Sequence, residues 1–246
     1  MPPPLSRALI QNLDMFKFLS DAELDVVLQD ASVCRLDPGD AAFQQGQPAE
    51  HFFVLLHGRL KVVQITPDGE QIIVRHVNPG DIFGMARAMR RSHYPASTVA
   101  VQESLALSWP ATSWDALMSK SPQFATEAIQ TVGDRLQDAH SRIRELSTEE
   151  VEQRVARALL RLIDESGTPT PEGIQINFPI TRQEIAELTG TTLHTVSRLL
   201  SGWKTQGIVT SGRRRITVCA PDELIRLAKI ASPSDTLQRE PSRNRP

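Results

Sequence analysis

The segment Pro179-Ile180-Thr181-Arg182-Gln183-Glu184-Ile185-Ala186-Glu187-Leu188-Thr189-Gly190 has the marks of a short, capped helix. Thr181 and Glu184 stand three apart, the spacing at which a hydroxyl accepts from a backbone amide while a carboxylate reaches back to the cap. Ile185 and Leu188 face a core, Ala186 is small where a second helix must cross closely, and Gly190 supplies the turn. A second helix is expected from about Thr192 to Gln206, with Val196, Leu199, Leu200 and Trp203 turned inward. Helix, short glycine turn, helix is a helix-turn-helix.

The outward residues of the second helix's first turns are His194, Thr195, Ser197 and Arg198. Short polar groups with one arginine suit a helix whose N-terminal half enters a major groove of DNA. His194 and Arg198 are four apart and share a face. Arg198 can donate two hydrogen bonds to guanine O6 and N7, while Thr192 and Ser197 suit phosphate or thymine contacts. Thr181, Arg182 and Lys204 complete the candidate contacts of these two helices. Downstream, two β-prone runs in residues 207–218 flank a turn carrying Arg213, Arg214 and Arg215, a wing placed to touch phosphates. From Thr181 to Cys219 there are six basic and two acidic residues. That segment is net +4 in a chain of net −2, so the remainder is acidic at net −6. Such a division points to one polyanion-binding module.

Upstream, Ile129, Val132, Leu136, Ala139, Ile143 and Leu146 alternate spacings of three and four, a heptad seam. Asp134, Arg135, Gln137, Asp138, Arg142 and Arg144 surround it. A helix packed on its own domain usually shows a broader apolar face, so the narrow stripe favours a parallel dimer coiled coil. A further helix from Val151 to about Asp164 carries apolar residues on most sides and is expected to be buried. Residues 167–177, rich in proline and glycine, read as a loop.

Toward the N-terminus the pattern changes. The first forty residues read as short helices, with a capping box at Ser20 and Glu23. From about Cys34 to Pro110, short strands are cut by Gly39, Gly46, Gly58, Gly69 and Gly80, with β-prone runs at 52–56, 60–65, 72–77 and 98–101. Many short strands at this spacing mean an antiparallel roll or barrel. The 246 residues, 40% of them hydrophobic, suffice for two domains with real cores. Cys34 and Cys219 lack metal-ligand spacing, and no run approaches a membrane span, so a cytoplasmic protein is expected. The tail 232–246, rich in Pro, Ser, Arg and Asn, is expected to be disordered.

Over residues 15 to 230 the chain resembles the CRP/FNR transcription regulators, the catabolite activator and fumarate–nitrate regulator family. The resemblance is most specific at Ile180-Thr181-Arg182-Gln183-Glu184-Ile185 and Thr195-Val196-Ser197-Arg198-Leu199-Leu200, and Pro79-Gly80-Asp81-Ile82-Phe83-Gly84 also fits. It implies an α+β chain with a β jelly-roll sensor domain at 1–118, a dimerisation helix at 119–147 and a winged helix-turn-helix at 148–231. It also implies a homodimer reading an inverted repeat with TTG and CAA cores, with RNA polymerase as a further partner and activation as the mode of control.

Two departures from the family pattern matter. His194 stands where readers of this family usually have glutamate, and resembles the form in some nitric-oxide-responsive regulators of denitrification. In the sensor, the effector pocket implied by the resemblance lies at Gly84, Met85, Pro95, Ala96 and Ser97. Cyclic-nucleotide binders place glutamate at the Met85 position for the ribose and Arg-Ser at Pro95-Ala96 for the phosphate. Lacking both acceptor and cation, this pocket is not expected to hold cyclic AMP. Two cysteines cannot supply the iron–sulfur cluster of the oxygen-sensing branch. Haem stays open, since His51, His57, His76, His93 and His140 are available and no spacing selects one; Ala86 occupies the place expected for the haem histidine of a carbon-monoxide-sensing relative. Two other classes remain beside this reading: a cupin-like metal enzyme on the jelly roll, for which these histidines lack the His-x-His pattern, and a ligand-free constitutive repressor.

Overall fold

The computed structural model describes residues 6–229, which divide into two compact units between Ser141 and Arg142. The tail 232–246 lies outside the described residues.

The first unit opens with a 3-10 turn at Arg7–Leu9 and helix α1 (Asp21–Gln29). The capping box at Ser20 is formed: its hydroxyl accepts from the Glu23 amide, and the Glu23 carboxylate accepts from the Ser20 amide. Eight strands follow: β1 (Ser32–Leu36), β2 (Ala41–Phe43), β3 (His51–His57), β4 (Leu60–Ile65), β5 (Gln71–Val77), β6 (Ile82–Phe83), β7 (Ser97–Ala100) and β8 (Ser104–Pro110). They pair antiparallel in two four-stranded sheets, ordered β1-β8-β3-β6 and β2-β7-β4-β5. This is the expected jelly-roll type of domain. β1 begins at Ser32, so helix does not extend through the first forty residues. Helix α2 (Trp114–Lys120) and the long helix α3 (Pro122–Thr148) come next.

Strand β3 shows why a run such as Phe52-Phe53-Val54-Leu55 is apolar without interruption. Successive side chains point to opposite faces. Phe53 and Leu55 enter the cluster between the sheets, with Phe43, Leu60, Val77, Phe83 and Tyr94. Phe52 and Val54 enter a second cluster, with Phe16, Leu24, Val27, Trp109 and Phe124. Trp109 Nε1 donates to the Val27 carbonyl at 2.7 Å, pinning α1 to β8. Gly58 ends β3 at φ +93°, and a Cβ there would lie 2.2 Å from Ser104 Oγ, so only glycine fits.

The second unit contains the end of α3, then α4 (Val151–Ser166), β9 (Gly167–Thr170), β10 (Gly173–Ile176), α5 (Arg182–Thr189), α6 (Leu193–Thr205), β11 (Val209–Gly212), β12 (Arg215–Val218) and α7 (Pro221–Leu227). Its strands form one sheet in the order β11-β12-β10-β9. Residues 167–177 are thus a hairpin rather than the loop that their composition suggested. α4 buries Val155, Ala156, Ala158, Leu159 and Leu162, and exposes Arg161, Asp164 and Glu165 near its end. Ile185, Ala186, Val196, Leu200 and Trp203 are all buried, whereas Leu188 and Leu199 are only half-buried. Among the described residues no helix is long and apolar enough to cross a membrane.

Candidate functional site

Helix α5 starts at the capping box read from the sequence. Thr181 Oγ1 accepts from the Glu184 amide at 3.1 Å, and Glu184 Oε2 accepts from the Thr181 amide at 2.8 Å. It ends at Gly190, whose φ of +62° is left-handed. A side chain there would be strained, and its Cβ would come within 3.0 Å of Leu146 Cδ2. The chain then turns into α6 within two residues, and Thr192 caps that helix by accepting from the Thr195 amide at 3.2 Å.

Two arginines secure the other end of α5. Arg142 donates from Nη2 to the Leu188 carbonyl, and Arg154 donates from Nε to the Thr189 carbonyl at 3.2 Å. These are last-turn carbonyls without helical partners, at the negative end of the helix dipole. Burial, reinforced by Arg161, lowers the Arg142 pKa from its ordinary value. Arg161 in turn donates to the buried Glu145 at 2.5 Å. The sequence pattern placed Arg142 among the solvated surroundings of the heptad seam; it is instead a half-buried clamp on the first helix of the motif.

On α6, His194 and Arg198 are exposed on one face, as their spacing required, while Thr195 and Ser197 are half-buried. Thr192 and Thr195 share a hydroxyl contact at 3.0 Å. Lys204 is exposed but sits near the C-terminal end, about 15 Å along the helix from His194, so it does not join the group at the N-terminal turn. Leu193 is a surface residue that the pattern did not single out. It lies three before Val196 and so looks like core, yet it is 46% exposed beside His194. An exposed apolar group there suits a thymine methyl.

The wing is formed by β11 and β12, with Arg213, Arg214 and Arg215 exposed at its tip. Arg214 adopts a positive φ of 58° in the turn, and its carbonyl accepts from the Ile180 amide at 3.1 Å, tying the wing to the entry of α5. Arg182 is half-buried and donates to Ser211 Oγ at 3.2 Å. Between the start of α5 and the wing lies an open groove of about 440 Å³, with Arg182, Arg213 and Arg214 among its lining and Ile180, Leu193 and Ile216 contributing apolar surface.

In the first unit the residues implied as an effector pocket are mostly packing groups. Met85 and Ala96 are buried, Pro95 is exposed, and Ser97 Oγ accepts from the Gln45 amide at 2.9 Å. A Cβ on Gly84 would meet the Phe53 ring at 2.9 Å. The space between the sheets is filled by rings: Phe43 stacks on Tyr94 with centroids 3.8 Å apart, and Phe53 on Phe83 at 5.0 Å. These positions supply neither a carboxylate for a ribose nor a cation for a cyclic phosphate, so the residues present do not fit a cyclic nucleotide there. His51, His57, His93 and His140 are exposed and His76 is half-buried. Among the described residues no three of His, Cys, Asp or Glu come together as a metal site.

Residues 33–121 match the cyclic nucleotide-binding domain family, and residues 153–227 match the Crp-like helix-turn-helix domain family. The global nitrogen regulator of Synechococcus elongatus is 28% identical over 211 residues, covering 85% of this chain and 93% of the relative. A CRP-like cAMP-activated global transcriptional regulator of Mycobacterium tuberculosis is 22% identical, covering 78% and 85%. Among solved structures, a CRP-family transcriptional regulator of Thermus thermophilus superposes with a TM-score of 0.69 at 26% identity, covering 80% of this chain and 97% of that one. FixK2 of Bradyrhizobium japonicum shares the fold, with a TM-score of 0.71 at 24% identity over 82% of this chain and 99% of its own. A jelly-roll sensory domain, a long helix and a winged helix-turn-helix in that order make this chain a DNA-binding transcription regulator of the CRP/FNR family.

Proposed function

We propose that the protein acts in the cytoplasm as a homodimer that reads an inverted repeat through α6 and recruits RNA polymerase. We further propose that its affinity for DNA is set by a signal other than a cyclic nucleotide. The division of labour is a sensor at 1–118, a dimerisation helix at 119–147 and a DNA-binding domain at 148–231. One observation carries the reading. Ile129, Val132, Leu136, Ala139, Ile143 and Leu146 are all exposed along α3, with Ile129 at 68% and Ile143 at 62%. A row of uncovered apolar side chains at heptad spacing needs a second helix of the same kind. A two-fold axis along that seam presents two copies of α6, and these require inverted half-sites about 34 Å apart.

Within each half-site Arg198 specifies a guanine of a TTG core, and His194 faces the base pairs just inside it. Thr181, Arg182, Thr192, Thr195, Ser197 and Lys204, with wing residues Arg213, Arg214 and Arg215, serve phosphates or flanking bases. Gly84, Met85, Pro95, Ala96 and Ser97 border the sensing region, and the lack of ribose and phosphate partners there supports a different signal. The test is a gel shift with a duplex carrying TTG and CAA half-sites. High affinity for the intact repeat should be lost when five base pairs are inserted at its centre, which turns one half-site to the opposite face of the duplex. Equal affinity for a single half-site would overturn the reading.

A further inference from the structure

Helix α5 ends with four successive carbonyls, those of Glu187, Leu188, Thr189 and Gly190, that have no further helical turn to donate to them. Two guanidiniums from outside the helix-turn-helix cover all four. Arg142, near the end of α3, donates from Nη2 to the Leu188 carbonyl and, at 3.4 Å, to that of Glu187. Arg154, in the first turn of α4, donates from Nε to Thr189 at 3.2 Å and from Nη2 to Gly190 at 3.4 Å. Its Nη1 donates to the Glu149 carbonyl at 3.0 Å, so the same fork also holds the junction of α3 and α4. The two nearby carboxylates are taken by other arginines: Glu145 accepts from Arg161 at 2.5 Å, and Glu149 pairs with Arg157 at 2.9 Å.

Satisfying these carbonyls does not in itself call for arginine. Water does so at a surface, and a lysine suits the helix dipole equally. A guanidinium differs in presenting several donors at fixed angles, so it sets where its acceptors lie. Here the acceptors are the backbone from which α6 departs. Gly190 is held at a left-handed φ of 62°, and only Thr191, Thr192 and Leu193 separate it from His194. A displacement of the last turn of α5 therefore passes to His194 and Arg198 with little chain to absorb it. Hydrogen bonds to base edges need short distances and near-linear angles. Arginines reaching phosphates from the wing tolerate the same displacement.

We propose that Arg142 is a positioning residue for sequence reading: it touches no base, and by fixing the end of α5 it seats α6 so that His194 and Arg198 meet base edges together. The proposal rests on α6 as the reading helix, and it adds a determinant of specificity from outside the motif.

The experiment uses the full chain. The parent is first allowed to select its preferred duplex from a randomised pool, and gel shifts then give its affinity for that duplex and for a scrambled one. Arg142→Met keeps an unbranched stem and removes the donors. It should lose about tenfold in the ratio of the two affinities, within the range of one good base contact, while binding the scrambled duplex as the parent does. Repeated selection with the variant should show preference relaxed at the Arg198 and His194 positions together, since the helix moves as a unit. Arg142→Lys keeps the charge without the fork and should fall between the two; it carries the test if the methionine variant does not fold. A role in stability alone lowers both affinities in proportion and leaves the ratio and the selected sequence unchanged, and that result overturns the proposal. Sedimentation on the same samples excludes an effect through the neighbouring seam: loss of specificity that tracks loss of dimer also overturns it. A parent that selects no sequence refutes α6 as the reading helix and this proposal with it, whereas a selective parent with equally selective variants refutes the role of Arg142 alone.

Discussion

The proposed α3 seam requires that replacing Leu136 with glutamate yield monomers without unfolding the protomer. Leu136 is 54% exposed in the single chain, so its own fold relies on only part of its surface. Covering the remaining half on dimerisation contributes about 1 kcal/mol per chain, taking roughly half of the value for a fully buried leucine. The substitution removes that and places a carboxylate in the seam at about 1–3 kcal/mol more. Two-fold symmetry applies each change twice, so the dimer loses about 4–8 kcal/mol, roughly a thousandfold or more in its dissociation constant. Leu136→Ala, which loses only the apolar contribution, should weaken it about thirtyfold. Sedimentation velocity across a concentration series measures both, and circular dichroism checks that helix content is unchanged. Specific DNA binding should fall as well, because one α6 alone would read only half of the proposed inverted repeat. A Leu136→Glu protein that stays dimeric at micromolar concentration and still binds the repeat would refute the seam.

Other expectations follow from the same geometry. Thr181→Ala removes the hydroxyl that accepts from the Glu184 amide and should destabilise the DNA-binding unit by about 1 kcal/mol in thermal melts. Changing Arg213, Arg214 and Arg215 together to alanine should weaken all DNA sequences alike and reduce the slope of affinity against salt, read from gel shifts over a salt series. Arg198→Ala should cost roughly 1–3 kcal/mol per half-site and relax preference at its guanine, and His194→Glu should shift only the inner positions toward exposed cytosine amino groups, both read by selection from a randomised operator. Asp25, which accepts from Arg7 at 2.7 Å, has its carboxyl pKa lowered by that bond. Its contribution is therefore present above about pH 4 and lost as pH falls, so amide exchange of the first thirty residues should quicken in acid.

Much of the DNA-binding half is legible because its signals are local. A capping box and a left-handed glycine fix both ends of α5 with three residues, Thr181, Glu184 and Gly190, and each behaves in the structure as its chemistry demands. The hairpin β9–β10 was not legible for a physical reason. Its first strand contains Pro169, which lacks an amide to donate and reads as a breaker, but β9 is the edge of the sheet, where that donor is not needed. The short strands β2 and β6, of three and two residues, exist only because longer neighbours pair with them, which no window of sequence displays. Arg75 and Arg135 were illegible for the opposite reason: a charged residue on a strand or beside a heptad seam looks solvated, and only the fold reveals what encloses it.

Helix α3 carries two stripes, and only one of them is apolar throughout. Phe124 and Ala128 are buried, Arg135 and Arg142 half-buried, and Glu145 is buried again. These positions recur at spacings of four, seven, seven and three, so they form one face, turned about 100° from the seam that begins at Ile129. That face begins as hydrophobic packing and ends as charge: Arg135 on the Ile82 carbonyl, Arg142 on the Leu188 carbonyl, Glu145 with Arg161. Apolar packing holds a helix at any charge state, but charged contacts respond to a nearby ion. The first two turns of α3 are therefore held by apolar contacts, while the portion from Arg135 onward is held by charge-assisted hydrogen bonds. Arg142 is the point at which the end of α3 grips the last turn of α5, through the Leu188 carbonyl.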